Sequence, residues 1–135
     1  MCMSRIVLVS DDPKYLASLQ DLLETRQEFV VCGVAQTRAG AIKAVKLHRP
    51  GLVILDFAMP LTKGFETADA HRAALPGIQL FLLVERQGFE VEKEALSRGI
   101  HAVFAKNEDL TPLLSNALAA CNKENHRGDN GSSLA

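Results

Sequence analysis

The stretch Leu52-Val53-Ile54-Leu55-Asp56 is a short apolar run that ends on a carboxylate. Adjacent apolar residues, without the alternation of a half-exposed strand, indicate a strand that is covered on both faces, as in a parallel sheet. Pro50-Gly51 separates this run from the segment before it, and a similar run, Arg5 to Val9, leads into Ser10-Asp11-Asp12-Pro13. The sequence therefore predicts buried strands with polar residues at their carboxyl ends.

The alternation of an apolar run with a helical pattern occurs five times along the chain. The predicted strands are Arg5 to Val9, Phe29 to Ala35, Leu52 to Leu55, Ile78 to Val84 and Ile100 to Ala105. The predicted helices are residues 13–26, a segment capped by Thr37, residues 65–74 after a loop from Met59 to Gly64, a segment ending near Arg98, and one around Leu110 to Leu118. Five such units predict an α/β fold in which helices cover both faces of a parallel sheet.

The composition is that of an ordinary folded domain. The 135 residues are 47% hydrophobic and 23% charged, and the formal net charge is -1 at pH 7. A chain with this much apolar material can form a core, which excludes disorder throughout. The small net charge offers no basic field that would hold nucleic acid, so no direct nucleic-acid binding is expected of this domain.

The termini and the cysteines indicate neither a membrane nor a disulfide-stabilised protein. No apolar run reaches the roughly 18 residues that cross a bilayer, and Met1 to Arg5 lacks the apolar stretch of a secretory signal, so we expect no membrane association and a cytoplasmic location. The spacing of Cys2, Cys32 and Cys121 predicts neither a disulfide framework nor a metal site. Residues 123–135 are polar and rich in Gly and Ser, which is typical of a tail or a truncated linker.

Charged residues follow four of the predicted strands, and the carboxyl ends of parallel strands meet at the edge where such sheets bind ligands. These residues are Asp11, Asp56, Glu85 and Lys106. Carboxylates that are held close together repel each other and favour a bound cation, and hard oxygen ligands suit Mg²⁺. A carboxylate beside Mg²⁺ can attack phosphorus and form an aspartyl phosphate.

Several motifs resemble those of one protein family. They are Ile54-Leu55-Asp56-Phe57-Ala58-Met59-Pro60 with Gly64 after it, Ala95-Leu96-Ser97-Arg98-Gly99, and Phe104-Ala105-Lys106. Residues 4–122 resemble a CheY-like response regulator receiver domain of two-component signal transduction, and Val30 to Ala35 is similar to receivers of LuxR/NarL-type transcriptional regulators. The resemblance implies a receiver domain over residues 1–122, with a flavodoxin-like (βα)5 doubly wound parallel sheet and strand order 2-1-3-4-5.

The resemblance also implies roles for the residues at the strand ends. Asp56 is the implied phosphoryl acceptor, and Lys106 is the cation that pairs with the phosphoryl group, or with Asp56 at rest. Mg²⁺ is the implied cofactor. It would lie between Asp56, the backbone carbonyl of Ala58 and the acidic residues that follow the first strand.

Two registers are open for those acidic residues. An alignment without gaps places Ser10 and Asp11 at the family's acidic pair, so that Asp11 is the direct metal ligand, Ser10 replaces the outer acid, and Asp12 caps the first helix. A shift by one residue makes Asp11 and Asp12 the pair instead. Asp11 belongs to the metal site in both registers.

Besides Ser10, three positions depart from the family pattern. Val84 stands where the family has Thr or Ser, and it has no hydroxyl to donate to a phosphoryl oxygen. Glu85 follows it where the family has a small residue; pointing inward it would repel phosphate, and pointing outward it is a surface charge. Val103 occupies the aromatic switch position three residues before Lys106. The switch is therefore expected to be atypical.

Two functions follow from these residues. The first is a phosphorelay response regulator, phosphorylated on Asp56 by a partner sensor histidine kinase, that switches the face of the fourth helix, fifth strand and fifth helix. The second is a pseudo-receiver, a protein-binding module that works without phosphorylation. No enzyme activity is expected beyond self-catalysed phosphorylation and dephosphorylation. A homodimer through the same face is expected from the resemblance alone.

Overall fold

The structure, a computed structural model, describes residues 4–56, 61–85 and 88–120. The strands are β1 (Ser4–Ser10), β2 (Phe29–Ala35), β3 (Leu52–Asp56), β4 (Gln79–Val84) and β5 (Ala102–Ala105). The helices are α1 (Pro13–Glu24), α2 (Arg38–His48), α3 (Leu61–Ala74), α4 (Phe89–Ser97) and α5 (111–120). The predicted metal ligand Ala58 and the predicted tail at 123–135 lie outside the described residues.

The described strands form one parallel sheet in the order β2-β1-β3-β4-β5, which confirms the predicted fold class and strand order. Strand β2 lies on one side of β1. The chain then crosses back over β1 and adds β3, β4 and β5 in turn on its other side. In this topology the ends of β1 and β3 form the switch point at which ligands bind. The register places Ser10 directly beside Asp56 at that point.

Both faces of the sheet are covered, which explains the unbroken apolar runs of the strands. On one face, side chains such as Val7, Val53 and Leu55 pack against Val45 of α2 and Ala68 of α3. On the other face, Ile6, Leu8 and Ile54 of the sheet belong to a second buried cluster. Leu16 and Leu23 of α1 and Leu113 and Ala117 of α5 complete this cluster. Because successive strand residues point to opposite faces, a strand covered on both sides buries every residue.

Three predicted boundaries are wrong. Helix α1, predicted to extend to residue 26, ends at Glu24, and Thr25 is its C-cap. Helix α3 begins at Leu61, inside the segment that was predicted as a loop up to Gly64. A glycine costs a helix roughly 1 kcal/mol, which packing of the rest of the helix outweighs. Strand β5 begins at Ala102 rather than Ile100, because the Leu80 N–H donates to the Nδ1 atom of His101, at 3.0 Å, instead of to a backbone carbonyl.

The predicted helix ends agree better with the structure. The Asp12 side chain accepts hydrogen bonds from the N–H groups of Lys14 and Tyr15, and Thr37 accepts from Gly40, so both residues are N-caps as predicted. Gly99 follows α4 with a φ of 86°, a left-handed conformation that favours glycine. Among the described residues, no helix is both long enough and apolar enough to cross a bilayer.

Candidate functional site

Asp56 lies at the centre of the sheet edge predicted to bind a ligand. It is the last residue of β3 and is only 1% exposed. Its Oδ2 atom accepts a hydrogen bond from the hydroxyl of Ser10, at 2.7 Å, and one from the ammonium of Lys106, at 3.0 Å. Its Oδ1 atom is buried and has no hydrogen-bond partner among residues 4–56, 61–85 and 88–120. One carboxylate oxygen is thus held by two donors, and the other has no partner in the described part of the chain.

Burial and the neighbouring charges act in opposite directions on Asp56. Burial raises the pKa of its carboxyl group, and this effect outweighs the hydrogen bonds from Ser10 and Lys106, which lower it. The negative charge of Asp11 also raises the pKa of Asp56, which places Asp11 within electrostatic reach of the carboxylate. Such opposing effects are typical of functional carboxylates.

Lys106 is held by both backbone and side-chain contacts. Its N–H donates to the carbonyl of Val84 at 2.8 Å, which continues the pairing of β4 and β5 beyond the last strand residue. Burial by itself lowers the pKa of the Lys106 ammonium, but the hydrogen bond to Asp56 and the charges of Asp56 and Glu85 give a net increase. The side chain therefore stays protonated beside Asp56.

The two other neighbours of the Lys106 ammonium were not assigned to it from the sequence. Glu85 Oε1 is 3.6 Å from Nζ, and the centroid of the Tyr15 ring is 4.2 Å from it. Burial, followed by the charges of Asp56 and Glu85, raises the pKa of Tyr15 to about 12. The only sequence signal for Tyr15 was its position in the first turn of a helix that follows the acidic residues.

Glu85 is neither of the two alternatives considered from the sequence. Its side chain is 69% exposed, so it is not directed into the pocket, yet it forms an ion pair with Lys106. Val84 and Val103 are both buried and present only alkyl groups at the positions where the family has its hydroxyl and its aromatic ring.

The acidic residues after β1 have different environments. Asp12 is exposed, and its carboxylate accepts hydrogen bonds from the first N–H groups of α1. This is the role that the alignment without gaps gives it. Asp11 is exposed, and Ser10 is completely buried beside Asp56. Within the described ranges, no group of three or more His, Cys, Asp or Glu side chains has the geometry to hold a metal ion. Whether Asp11 or Asp12 binds a metal stays a prediction.

Known proteins share the sequence pattern and the fold of this chain. The family described as the response regulator receiver domain matches residues 6–118. The signal receiver domain of NarL from Mycobacterium tuberculosis superposes with a TM-score of 0.78 at 23% identity, covering 90% of this chain and 98% of that one. A LuxR-family two-component response regulator from Aurantimonas sp. SI85-9A1 gives a TM-score of 0.80 at 22% identity, over 90% and 86% of the two chains. At identities this low, the two superpositions establish a shared fold only.

The curated relatives are longer than this chain. The transcriptional regulatory protein LnrK of Bacillus subtilis (strain 168) is 26% identical over 105 residues, which are 78% of this chain and 48% of LnrK. A protein-glutamate methylesterase/protein-glutamine glutaminase of Desulfotalea psychrophila is 27% identical over 118 residues, 86% of this chain and 32% of that protein. The chain thus spans about a third to a half of these relatives, and the activities in their names are stated for those proteins.

Proposed function

This chain belongs to the response regulator receiver family of two-component systems, and we propose that it accepts a phosphoryl group on Asp56. The observation that carries the proposal is the state of the Asp56 carboxylate: buried, paired through Oδ2 with the cation of Lys106, and unpartnered at Oδ1 within the described part of the chain. Receiver domains are regulatory domains that histidine kinases phosphorylate, so the proposed partner is a sensor histidine kinase.

The residues present supply most of what phosphoryl transfer requires, which is positioning and charge neutralisation. In the proposed reaction an oxygen of Asp56 attacks phosphorus, a new P–O bond forms, and the bond from phosphorus to the donor breaks, its electron pair leaving with the donor. Lys106 then neutralises negative charge on the transferred group.

The donor set suits Mg²⁺, which binds through only one or two carboxylates and retains several waters. Asp56 Oδ1 is a buried oxygen without a partner among the described residues, and Asp11 is near enough to raise the pKa of Asp56. We propose that these two carboxylates hold the ion, with the Ala58 carbonyl as the third protein ligand. The bound ion would supply positive charge to the phosphoryl oxygens.

The test is incubation with acetyl phosphate and Mg²⁺, followed by intact-mass measurement. We expect one added phosphoryl group that is absent from Asp56→Asn and from a sample without metal. A folded protein that gains no mass overturns the proposal. Mass that persists in Asp56→Asn would place the acceptor elsewhere.

A second candidate is a protein-binding receiver that works without phosphorylation. The observation in its favour is that Val84 and Val103 are both buried aliphatic residues. A hydrogen bond to a charged acceptor contributes roughly 1.5–3 kcal/mol, and no side-chain hydroxyl is available at position 84 to provide one. If the wild-type chain gains no mass, Val84→Thr combined with Glu85→Ala distinguishes the causes. Recovered phosphorylation would locate the defect at the end of β4.

The remaining predictions stay proposals. We propose residues 1–122 as the domain and 123–135 as a tail or linker, consistent with the family match to residues 6–118. The face made by α4, β5 and α5 is the proposed output surface and the proposed homodimer contact. Size-exclusion chromatography with light scattering, with and without acetyl phosphate, tests the dimer.

A further inference from the structure

Lys106 links the acceptor carboxylate to an aromatic side chain on the first helix. Its Nζ atom is 3.0 Å from Oδ2 of Asp56 and 4.2 Å from the centroid of the Tyr15 ring. The second distance is within the roughly 6 Å over which a cation is attracted to the face of an aromatic ring. Since the Lys106 side chain is only 14% exposed, this attraction is poorly screened by water.

Tyr15 is held in the first turn of α1 by both its backbone and its ring. Its N–H donates to Oδ1 of the N-cap Asp12 at 3.3 Å, and its ring packs against the hydrophobic cluster between the sheet, α1 and α5. Its hydroxyl oxygen is buried without a hydrogen-bond partner in the described ranges. Within the described residues, the Tyr15 side chain therefore makes its polar contact through the ring, with the ammonium of Lys106.

The opposite face of the sheet offers a different environment. Val84 and Val103 belong to the cluster that packs against α2, α3 and α4, and their side chains have no polar atoms. A change in charge at Asp56 therefore finds no side-chain hydrogen-bonding group at these two positions. On the α1 and α5 face, Tyr15 contacts the ammonium that pairs with Asp56.

We propose that Tyr15 is a positioning residue that holds Lys106 against Asp56, and that this contact carries a change of charge at Asp56 to helix α1. Its signalling meaning rests on the proposed phosphorylation, but the contact can be tested without it. On transfer, negative charge moves from the carboxylate to phosphoryl oxygens farther from the strand. Lys106 follows that charge, so the Tyr15 ring must either follow the ammonium or lose contact with it.

The Tyr15 hydroxyl does not need to ionise for this role. Burial and the charges of Asp56 and Glu85 raise the pKa of Tyr15 to about 12, so the ring stays neutral near pH 7. A neutral ring presents its electron-rich face to a cation whether or not it carries a hydroxyl. Tyr15→Phe therefore keeps the contact, and Tyr15→Leu removes it.

The first experiment examines the resting protein. The chain has one tyrosine and no tryptophan, so its tyrosine emission reports on Tyr15 alone. Emission is measured for the wild type, Asp56→Asn, Lys106→Ala and the double variant. We expect Asp56→Asn to change the emission when Lys106 is present and to change it far less in the Lys106→Ala background. Equal changes in the two backgrounds, or no change in either, overturn the proposal.

The second experiment measures the binding of beryllofluoride with Mg²⁺, a phosphoryl mimic, by calorimetry. We expect Tyr15→Phe to bind within about twofold of wild type and Tyr15→Leu to bind about two- to thirtyfold more weakly. In the Lys106→Ala background, Tyr15→Leu should add less than about twofold, as a double-mutant cycle requires for a residue that acts through Lys106. The same loss in both backgrounds would show a merely structural role and overturn the proposal.

The two arms separate the failure of this proposal from failure of the proposed function. If wild-type protein binds no beryllofluoride and gains no mass from acetyl phosphate, phosphorylation is wrong, and the emission measurement alone decides whether Tyr15 acts through Lys106. If Tyr15→Leu does not fold by circular dichroism, the emission measurement still decides the proposal, because all of its variants keep the Tyr15 ring.

Discussion

Ser10 places a hydrogen-bond donor beside Asp56 at a position where a carboxylate would repel it. Its hydroxyl is completely buried, donates to Asp56 at 2.7 Å and accepts from the Asp12 N–H at 3.1 Å. A carboxylate here would face Asp56 across neighbouring strands, and two such groups repel unless a cation lies between them. Ser10 therefore stabilises ionised Asp56 directly, while it removes one charge that could attract a metal.

Replacing Ser10 by alanine should destabilise the domain and raise the pKa of Asp56 further, because the hydroxyl hydrogen bond lowers that pKa. We expect a loss of roughly 1.5–3 kcal/mol in the free energy of unfolding near neutral pH, the value of a hydrogen bond to a charged group. Urea denaturation measures the first effect, and an NMR titration of the Asp56 carboxyl carbon measures the second. Ser18→Ala, on the exposed side of α1, is the matched control. Equal losses in the two variants would contradict this role.

Glu85 should slow phosphorylation from the rim of the site. Its exposed carboxylate is 3.6 Å from Lys106 Nζ, so it competes for the cation and repels an anionic donor. An exposed pair of this kind is worth up to about 1 kcal/mol, so we expect Glu85→Gln to accelerate phosphorylation by acetyl phosphate about two- to fivefold. Time-resolved intact mass provides the rate. Glu90→Gln, on the exposed surface of α4, controls for the change in net charge. An equal acceleration in that variant would contradict a specific effect of Glu85.

At the scale of elements, the start of α1 gives two adjacent aspartates different roles. Asp12 accepts from two N–H groups of the first turn, whereas Asp11 is exposed and acts on the pKa of Asp56. Asp12→Ala should therefore cost about 0.5–2 kcal/mol of stability, and Asp12→Asn, which preserves an N-cap, much less. Asp11→Asn should leave stability nearly unchanged and abolish Mg²⁺-dependent addition of the phosphoryl group.

These variants also decide between the two registers of the acidic residues. Urea denaturation measures the cap, and intact mass after acetyl phosphate treatment measures metal-dependent addition. If Asp12→Asn also loses the addition, the register shifted by one residue is correct. If Asp12→Asn retains the addition and Asp11→Asn loses it, the register without gaps is supported.

Element boundaries show where sequence patterns stop being informative. The start of β5 depends on the side chain of His101, which accepts the N–H of Leu80, and no periodicity encodes such a substitution of side chain for backbone. Helix α3 begins at Leu61, inside the segment predicted as a loop, and Gly64 is a poor helix former, so helix propensity gives no signal for this start. Caps such as Asp12 were predictable because their chemistry is local.

For the whole molecule, the fold was predictable because five apolar runs alternate with five helical patterns, and few arrangements bury both faces of such strands. The meeting of Ser10, Asp56 and Lys106 followed from the shared edge of parallel strands. The contact between Tyr15 and Lys106 did not, because it depends on how α1 packs and on the conformations of two long side chains. Sequence pattern places residues on an edge, and packing decides which of them touch.

A buried histidine is expected to make the stability of the whole domain depend on pH. His71 of α3 is 0% exposed; its Nδ1–H donates to the carbonyl of Thr67 at 2.7 Å, and its Nε2 has no hydrogen-bond partner in the part of the chain that is described. Burial lowers the pKa of His71 from its ordinary 6.5, and the hydrogen bond to Thr67 only partly opposes this. The imidazole is therefore neutral in the folded protein near pH 7.

The sign of the resulting pH dependence follows from linkage. The unfolded chain protonates His71 near its ordinary pKa, and the folded chain only at lower pH, so the unfolded state gains protons first on acidification. The contribution of His71 to stability is complete above about pH 6.5 and is lost progressively as pH falls through that value toward the lowered folded pKa. Urea denaturation between about pH 7.5 and about pH 5.5 should show a decrease that His71→Gln reduces. His48→Gln, at the end of α2, is the control, and wild-type and His71→Gln curves that run parallel would exclude His71 as the cause.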